Sequence, residues 1–242
     1  MFRTGLRSSP RRPQRDQAEK PFWISFSDLM TSLMVLFMVT MAVALMSITS
    51  GVSKIEAEKV ARDEVIRACM ADVRAIAAGD GFAGVTVVGN AIEFGHIAEF
   101  QKRGYDLPAE NKAFLRKFVP PLLKAARSER CAPWLKHISV EGFASPEGTY
   151  LYNLNLSLQR SQRVLCSLLD SRAPDALSED DRRFIRMIFL VGGVSFNAMK
   201  DRPERSRRIE LKMEFQEAGG GKIANPELPW DDDPRCPLDP EK

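Results

Sequence analysis

The longest apolar stretch of the chain lies near its N-terminus and covers residues 22–48, FWISFSDLMTSLMVLFMVTMAVALMSI. A helix of this length would rise about 40 Å, which is enough to cross a bilayer with some tilt. Pro21 suits the first turn of a helix, and Phe22 and Trp23 are the aromatic residues expected at a membrane interface. The pattern predicts a transmembrane helix over residues 21–48.

The next segment, residues 49–80, combines charged positions with apolar positions at helical spacing. It predicts an amphipathic connector helix that continues out of the membrane. Such a helix would pack either on the following domain or on a second copy of itself. Its apolar positions are Val60, Val65, Ile66, Cys69, Met70, Val73 and Ile76.

Beyond residue 80, strand-like and helix-like segments alternate. Alternation of this kind predicts an α/β sandwich over residues 81–217, with helices on one side of the sheet. The fold class is therefore an α+β membrane protein with one N-terminal transmembrane helix. Residues 218–242, with GGGK and proline-rich pieces, predict an extended tail. Strands are predicted in 85–94 (paired around Gly89-Asn90), 137–144, 184–193 and 206–215, and helices at 110–129 (interrupted by Pro120-Pro121) and 154–171.

Charge sets the expected orientation. The formal net charge of +3 is too small to indicate a nucleic-acid partner. Positive charge is instead concentrated in residues 1–20, a basic arm whose composition predicts disorder. A basic excess before the span predicts a cytoplasmic N-terminus and an exported C-terminal part. The apolar run is longer than that of a cleaved signal peptide, so we expect an uncleaved anchor.

The four cysteines all lie on the predicted exported side, where an even number permits disulfides. Three full pairings are open, and a buried free thiol is the alternative for Cys166 in its apolar helix stretch. With His96 and His137 as the only histidines, the spacing gives no metal-ligand pattern, and no metal or cofactor is predicted. The cysteines are Cys69, Cys131, Cys166 and Cys236.

Asp28 is the only ionisable residue inside the apolar run. A carboxylate at membrane depth costs about 2.5–3.5 kcal/mol and usually marks an ion or proton route. The alternative is a helix N-cap at the interface, since Leu29–Ile48 alone is long enough to span. A helix that begins at Pro21 favours the deeper position.

One stretch of the exported part, ISVEGFASPEGTYLYNLNLSLQRSQRVLCSLL at 138–169 with SRRIEL at 206–211, resembles the OmpA-like peptidoglycan-binding domain. The family pattern is roughly G-H-T-D-x-x-G, then Y-N-x-x-L-S-x-x-R, and later N-R-R-V-E. The resemblance implies an exported domain that binds the cell wall. Matching positions are Gly142, Gly148, Tyr152, Asn153, Leu156, Ser157, Arg160, Arg207, Arg208 and Glu210.

The chain departs from that pattern at Phe143, Ser145 and Ser206, where the family has histidine, aspartate and asparagine. In the family, that aspartate and the helix arginine together grip the diaminopimelate of the wall peptide. Arg160 is retained and suits a bidentate carboxylate pair, whereas Ser145 lacks the charge, which Glu147 is placed to supply. The wall-binding residues that the resemblance implies are Tyr152, Asn153, Leu156, Arg160 and Ser145.

Two of these residues have ordinary alternatives. The alternative for Asn153 is a helix N-cap or Asx turn that holds the loop, a role that it can combine with shaping the site. The alternative for Arg160 is a solvated helix arginine.

The membrane segment FWISFSDLMTSLMVLF resembles the stator subunits of ion-driven rotary motors, of which flagellar MotB is the familiar member. Their signature is aromatic-x-x-x-(Ala/Ser/Tyr)-Asp-Leu-Met-Thr, and Asp28 falls on the ion-carrying aspartate. Within that superfamily, EKPFWISFSDLMTSLMVLFMV resembles most the stator family of the Zorya anti-phage defence system. That family has the same order of short arm, span and OmpA-like domain.

The resemblance implies a homodimer of this chain in the bacterial inner membrane, inside a pentamer of MotA-like (ZorA-like) channel subunits. It implies protons as the coupling ion, with sodium left open, and peptidoglycan as the anchor. Ser27 and Thr31 become candidates to line the ion path, although small hydroxyls also pack in membrane helices.

Three other functions stay open: a flagellar stator subunit, a passive wall tether, and an energy-transducing subunit of the TolR or ExbD type. The last type lacks an OmpA-like domain. No Ser–His–acid or metal constellation is evident, so the sequence predicts no enzyme.

Overall fold

The computed structural model describes residues 19–217 and 235–239, which fall into two compact units, Met1–Ala57 and Glu58–Lys242. The predicted disordered arm lies outside the described residues except for its last two positions. Most of the predicted tail, residues 218–234 and 240–242, also lies outside them.

The first unit contains most of a single helix, α1 (Glu19–Ala77). Within the described residues, α1 is the one helix long and apolar enough to cross a membrane, with a mean hydropathy of 2.3 in its apolar window. The prediction of a single N-terminal membrane-type helix is confirmed. The helix begins at Glu19, two residues before the predicted start.

The last turns of α1 belong to the second unit and enter its core. Cys69, Met70, Val73 and Ala77 are buried there, at the spacing that the sequence predicts. Of the two alternatives for the connector helix, the structure shows packing on the following domain.

The second unit is built on a five-stranded sheet in the order β1-β2-β5-β3-β4. Neighbouring strands are antiparallel, except that β3 and β4 are parallel and joined by a helical crossover. The predicted α/β sandwich is confirmed. Its elements are β1 (Thr86–Val88), β2 (Ala91–Glu93), a 3-10 turn (Gly95–Ala98), α2 (Ala109–Ala126), β3 (Leu135–Gly142), α3 (Tyr150–Leu169), α4 (Glu179–Ile188), β4 (Phe189–Gly193), α5 (Pro203–Ser206) and β5 (Ile209–Phe215).

The two faces of the sheet differ because side chains alternate along each strand. One face carries fully buried aliphatic residues, such as Ile138, Val140 and Leu211, and packs into the core with the helices. The other face carries pairs of opposite charge, such as Glu141 with Lys212 at 3.6 Å.

Two glycines set how closely α3 approaches the sheet. A Cβ atom on Gly142, the last residue of β3, would collide with the main-chain carbonyl of Ser157. A Cβ atom on Gly193, at the end of β4, would lie 2.7 Å from Ser157 Oγ and 2.8 Å from the Leu154 carbonyl oxygen. These glycines therefore fix the height of α3, which carries the predicted wall-binding residues.

One predicted element needs correction. The expected interruption at Pro120-Pro121 is wrong, since α2 runs unbroken through both prolines. Their missing N–H groups remove two helix bonds. The fully buried neighbours Phe118, Val119 and Leu122 compensate by packing in the core. Helix α4, which immediately precedes β4, is not anticipated by the sequence pattern.

Candidate functional site

The membrane-type helix places Asp28 about two and a half turns beyond its first residue. Asp28 is therefore inside the helix, which removes the N-cap alternative. The Thr31 hydroxyl donates back to the carbonyl oxygens of Ser27 at 2.9 Å and Asp28 at 3.0 Å. These bonds satisfy the Thr31 hydroxyl within the helix. Asp28 is the one ionisable residue of the apolar segment 22–48.

The second candidate site lies where β3 leads into α3. Thr149 caps α3, and its hydroxyl oxygen accepts the Tyr152 N–H at 3.3 Å. Asn153 is buried, and its amide donates to the carbonyl oxygens of Glu147 at 3.3 Å and Thr149 at 3.1 Å. Gly148 supplies the positive φ of +111° that this turn requires. Asn153 thus holds the loop, as its alternative interpretation expects.

Arg160 is fully buried, which excludes the solvated-arginine alternative. Three of its five N–H groups donate to main-chain carbonyls: Nε to Gly104 at 2.9 Å, Nη1 to Phe143 at 2.6 Å and Nη2 to Gln101 at 3.2 Å. Its guanidinium also lies 5.0 Å from the centre of the Phe100 ring. Arg160 therefore joins three segments of the domain.

Burial, with the neighbouring charge of Arg207, lowers the pKa of Arg160 to about 10, and the Tyr152 phenol acts in the opposite direction. The side chain stays charged at neutral pH. A carboxylate ligand near this cation would relieve its electrostatic cost.

Ser145 and Glu147 act together, as the departure from the family pattern suggests. The Ser145 hydroxyl donates to Glu147 Oε2 at 2.8 Å, and Lys102 Nζ lies 3.4 Å from Glu147 Oε1. The Ser145 hydrogen bond and the Lys102 charge hold the pKa of Glu147 below its usual value, against a smaller opposing effect of burial. Ser145 thus orients a carboxylate that Glu147 contributes from two residues along the chain.

Tyr152 and Leu156 have different surroundings. Tyr152 is 44% exposed, and its ring lies against Gly148, where an added Cβ atom would be 3.3 Å from Cδ1. Leu156 is buried. Tyr152 is therefore the predicted residue that presents most of its surface to a ligand.

The segment 100–104 is a part of the site that the sequence did not reveal. It provides two of the three carbonyls that bind Arg160, and it is fixed by reciprocal bonds between Phe100 and Arg207. Arg103 has a positive φ of +59° at the tip of this turn. Main-chain carbonyls carry no sequence motif. The weak local signal in the sequence is Gly104, because glycine is typical of turns.

The motif SRR at 206–208 has a structural role. Arg208 is buried, donates to Glu210 Oε1 at 2.7 Å and lies 4.0 Å from the centre of the Phe143 ring. The Ser206 hydroxyl accepts the Lys200 N–H at 3.0 Å. The motif therefore stabilises the loop that begins at Phe143 and the loop that contains Lys200.

The structure pairs all four cysteines. Cys69 in α1 bonds to Cys131 after α2, and we call this the connector disulfide. Cys166 in α3 bonds to Cys236, and we call this the tail disulfide. The described piece of the tail is held further by Arg163, whose Nη1 lies 2.6 Å from Asp239 Oδ1.

Within the part of the chain that the structure describes, neither histidine belongs to a group that could hold a metal ion. His137 pairs with Glu214 at 3.1 Å, and His96 is exposed. Across residues 19–217 and 235–239, no group of three or more histidine, cysteine, aspartate or glutamate side chains is arranged to hold a metal ion.

Comparison with known proteins shows similarity to a protein of a defence system. The chain is 45% identical over 204 residues to the Zorya protein ZorB of Escherichia coli O139:H28, covering 83% of this chain and 82% of that protein. No family model matches.

Solved structures are more distant. The OmpA-like domain of FopA1 from Francisella tularensis is 17% identical with a TM-score of 0.35, covering 57% of this chain and 90% of that one. The periplasmic domain of MotB is 11% identical with a TM-score of 0.38, covering 55% and 67%.

Proposed function

Because this chain belongs to the family of the Zorya protein ZorB, we propose that it is the stator subunit of a proton-driven rotary motor in anti-phage defence. Its partners would be a second copy of itself and a pentamer of MotA-like (ZorA-like) channel subunits. The chain would span the inner membrane once, with its N-terminus in the cytoplasm and its C-terminal domain in the periplasm. It would carry out no covalent chemistry.

The observation that carries the motor proposal is one carboxylate within an apolar helical segment. When Asp28 binds a proton it becomes neutral, and the cost of a charge in low dielectric disappears. Release of that proton toward the cytoplasm restores the charge and its attraction to polar groups on the channel ring. Each proton that moves through 100 mV provides about 2.3 kcal/mol, which alternate use of two Asp28 sites would convert into rotation. Sodium is the alternative coupling ion.

A stator must be fixed in place for torque to arise. The second candidate site is suited to attach this chain to peptidoglycan. Arg160 provides a buried cation for a peptide carboxylate, with one N–H on each terminal nitrogen outside its three main-chain bonds. Glu147, oriented by Ser145, provides the anion for a peptide ammonium group. The mouth of this site would be closed by Tyr152. Together these groups match the opposite charges at the end of a wall peptide.

The connector supports the anchoring role mechanically. The connector disulfide and the Arg130–Asp72 pair at 2.7 Å both join the end of α1 to the segment after α2. Force applied to the domain would therefore reach α1 through a second covalent link in addition to the main chain.

The test of the motor proposal is Asp28→Asn, which keeps the shape of the side chain and removes its titration. We expect loss of phage protection and of proton flux, with normal membrane levels of the protein. Glu56→Gln, a neutralised exposed acid on the same helix, is the matched control and should keep both. Full protection in Asp28→Asn would reject the motor and leave a passive wall tether.

A further inference from the structure

We call Ser145, Glu147 and Arg160 the charged site. An exposed aromatic patch lies outside it, at the start of α3. We define the aromatic patch as Tyr150, Leu151, Phe196 and Asn197. The rings of Tyr150 and Phe196 meet edge to face, with centroids 5.7 Å apart. The Asn197 amide lies 3.4 Å from the Tyr150 hydroxyl and donates to it.

Two large side chains of the patch, Tyr150 and Leu151, are exposed to solvent although they are mainly apolar. Tyr150 is 45% and Leu151 73% exposed, although both follow directly after the cap of a well-packed helix. Exposed apolar residues that are contiguous usually mark an interaction surface. These two continue into Tyr152, so three large side chains in succession face outward at the first turn of α3.

The patch is also held rigidly. Ser195 is fully buried and adopts a positive φ of +58°, a conformation that costs energy for a residue other than glycine. Its N–H donates to Ser157 Oγ at 3.1 Å, and its hydroxyl donates to the Tyr150 carbonyl at 3.2 Å. Its own carbonyl accepts the Ala144 N–H at 2.8 Å. The loop that carries Phe196 is thus tied to the loop of the charged site, and a ligand would meet a preformed surface.

The chemistry of the patch differs from that of the charged site. Two rings, one alkyl chain and one amide provide flat apolar surface and neutral hydrogen bonding but no charge. This combination suits a neutral sugar with acetamido groups, whose C–H faces cover aromatic rings and whose amides pair with Asn197. A charged peptide end is better served by Arg160 and Glu147.

We propose that the aromatic patch binds the glycan strand of peptidoglycan, while the charged site binds its peptide. This inference rests on the proposed attachment to the wall. The wall polymer has both parts covalently joined, and Tyr152, whose ring lies on Gly148 of the charged loop, connects the two surfaces along the helix. Simultaneous contact with both parts would raise the overall affinity through effective concentration.

The experiment uses the full chain in detergent micelles with three probes: intact sacculi, peptide-free glycan strands prepared with an amidase and then amidated at the freed lactyl carboxylates so that they stay neutral, and free stem peptide. Tyr150→Ala should weaken binding to glycan strands and to sacculi about three- to tenfold, the range expected for loss of one stacked ring, and leave stem-peptide binding unchanged. Tyr150→Phe, which keeps the ring, should bind nearly as well as the wild type. Met187→Ala, at an exposed apolar position on α4, is the control for general loss of apolar surface.

The outcomes separate the two proposals. If glycan strands do not bind, or if Tyr150→Ala binds them as the wild type does, the glycan site is rejected while stem-peptide binding keeps the wall anchor. If the wild type binds no sacculi, the wall anchor itself fails. A changed oligomer mass for Tyr150→Ala in light scattering, with unchanged glycan binding, would assign the patch to contact between copies and overturn the proposal.

Discussion

Replacement of Arg160 by alanine should lower both the stability of the domain and its affinity for the wall. The guanidinium is fully buried and donates to carbonyls of Gln101, Gly104 and Phe143, which come from two loops. Without it, these carbonyls lose their donor and the two loops lose their common partner. The charged site is therefore expected to loosen together with the fold.

The magnitude follows from two opposing contributions. Hydrogen bonds from a charged donor contribute about 1.5–3 kcal/mol each, or about 4.5–9 kcal/mol for three. The lowering of the pKa of Arg160 to about 10 corresponds to about 3 kcal/mol of cost for keeping the charge buried. The net stabilisation is about 1–6 kcal/mol. A value near 3 kcal/mol would lower the Tm by about 6–12 °C in a domain of this size.

The assay is thermal unfolding of the full chain in detergent, followed by circular dichroism, alongside pull-down with purified sacculi. Arg160→Lys keeps the charge but has fewer, differently placed donors, and its Tm should fall between those of the wild type and Arg160→Ala. Tyr152→Ala removes a half-exposed ring and should weaken sacculus binding with little change in Tm. An unchanged Tm for Arg160→Ala would refute the structural role of the buried guanidinium.

Three further predictions concern the same domain. Gly142→Ala should destabilise it by at least about 1–3 kcal/mol in urea unfolding because the new methyl group meets the α3 main chain, whereas Gly192→Ala, where a Cβ atom meets nothing within 4 Å, should lose much less. Replacing both cysteines of the connector disulfide by serine should cost up to about 4 kcal/mol, given a sequence separation of 62 residues, and an unchanged urea midpoint would contradict this estimate. Because the Ser145 hydrogen bond and the Lys102 charge lower the pKa of Glu147, its charge should persist to a lower pH than that of an unperturbed glutamate, and sacculus binding should weaken as the pH falls through this lowered pKa. In Ser145→Ala the loss should begin at a higher pH, and identical pH profiles for the two proteins would disprove the coupling.

The sequence predicted the elements whose signal is local. The apolar run is continuous and its single carboxylate is visible without a structure, because membrane helices satisfy their own main-chain groups and need only length and hydropathy. The strand pairing around Gly89-Asn90 was also local, and it is confirmed by the antiparallel β1 and β2. The predicted interruption of α2 was wrong. The local rule that proline interrupts a helix was overridden by the packing of Phe118 and Leu122 in the core.

The resemblance to the OmpA-like pattern pointed to Tyr152, Asn153 and Arg160 as candidate site residues, but it left their structural roles open. Tertiary structure decided that Asn153 holds a loop and that Arg160 is buried. It brought Glu147 into hydrogen-bond contact with Ser145, which the sequence could only suggest.

Other features exist only in three dimensions. The pairing of the cysteines depends on which helix lies beside which loop, and four cysteines at scattered spacing carry no such information. Segment 100–104 contributes main-chain carbonyls, which every residue possesses, so no sequence pattern marks it. Hydropathy and charge along the chain thus determined the existence of the membrane-type helix and the position of its single carboxylate. Contacts between residues far apart in the chain decided how the α/β domain holds the buried guanidinium of Arg160.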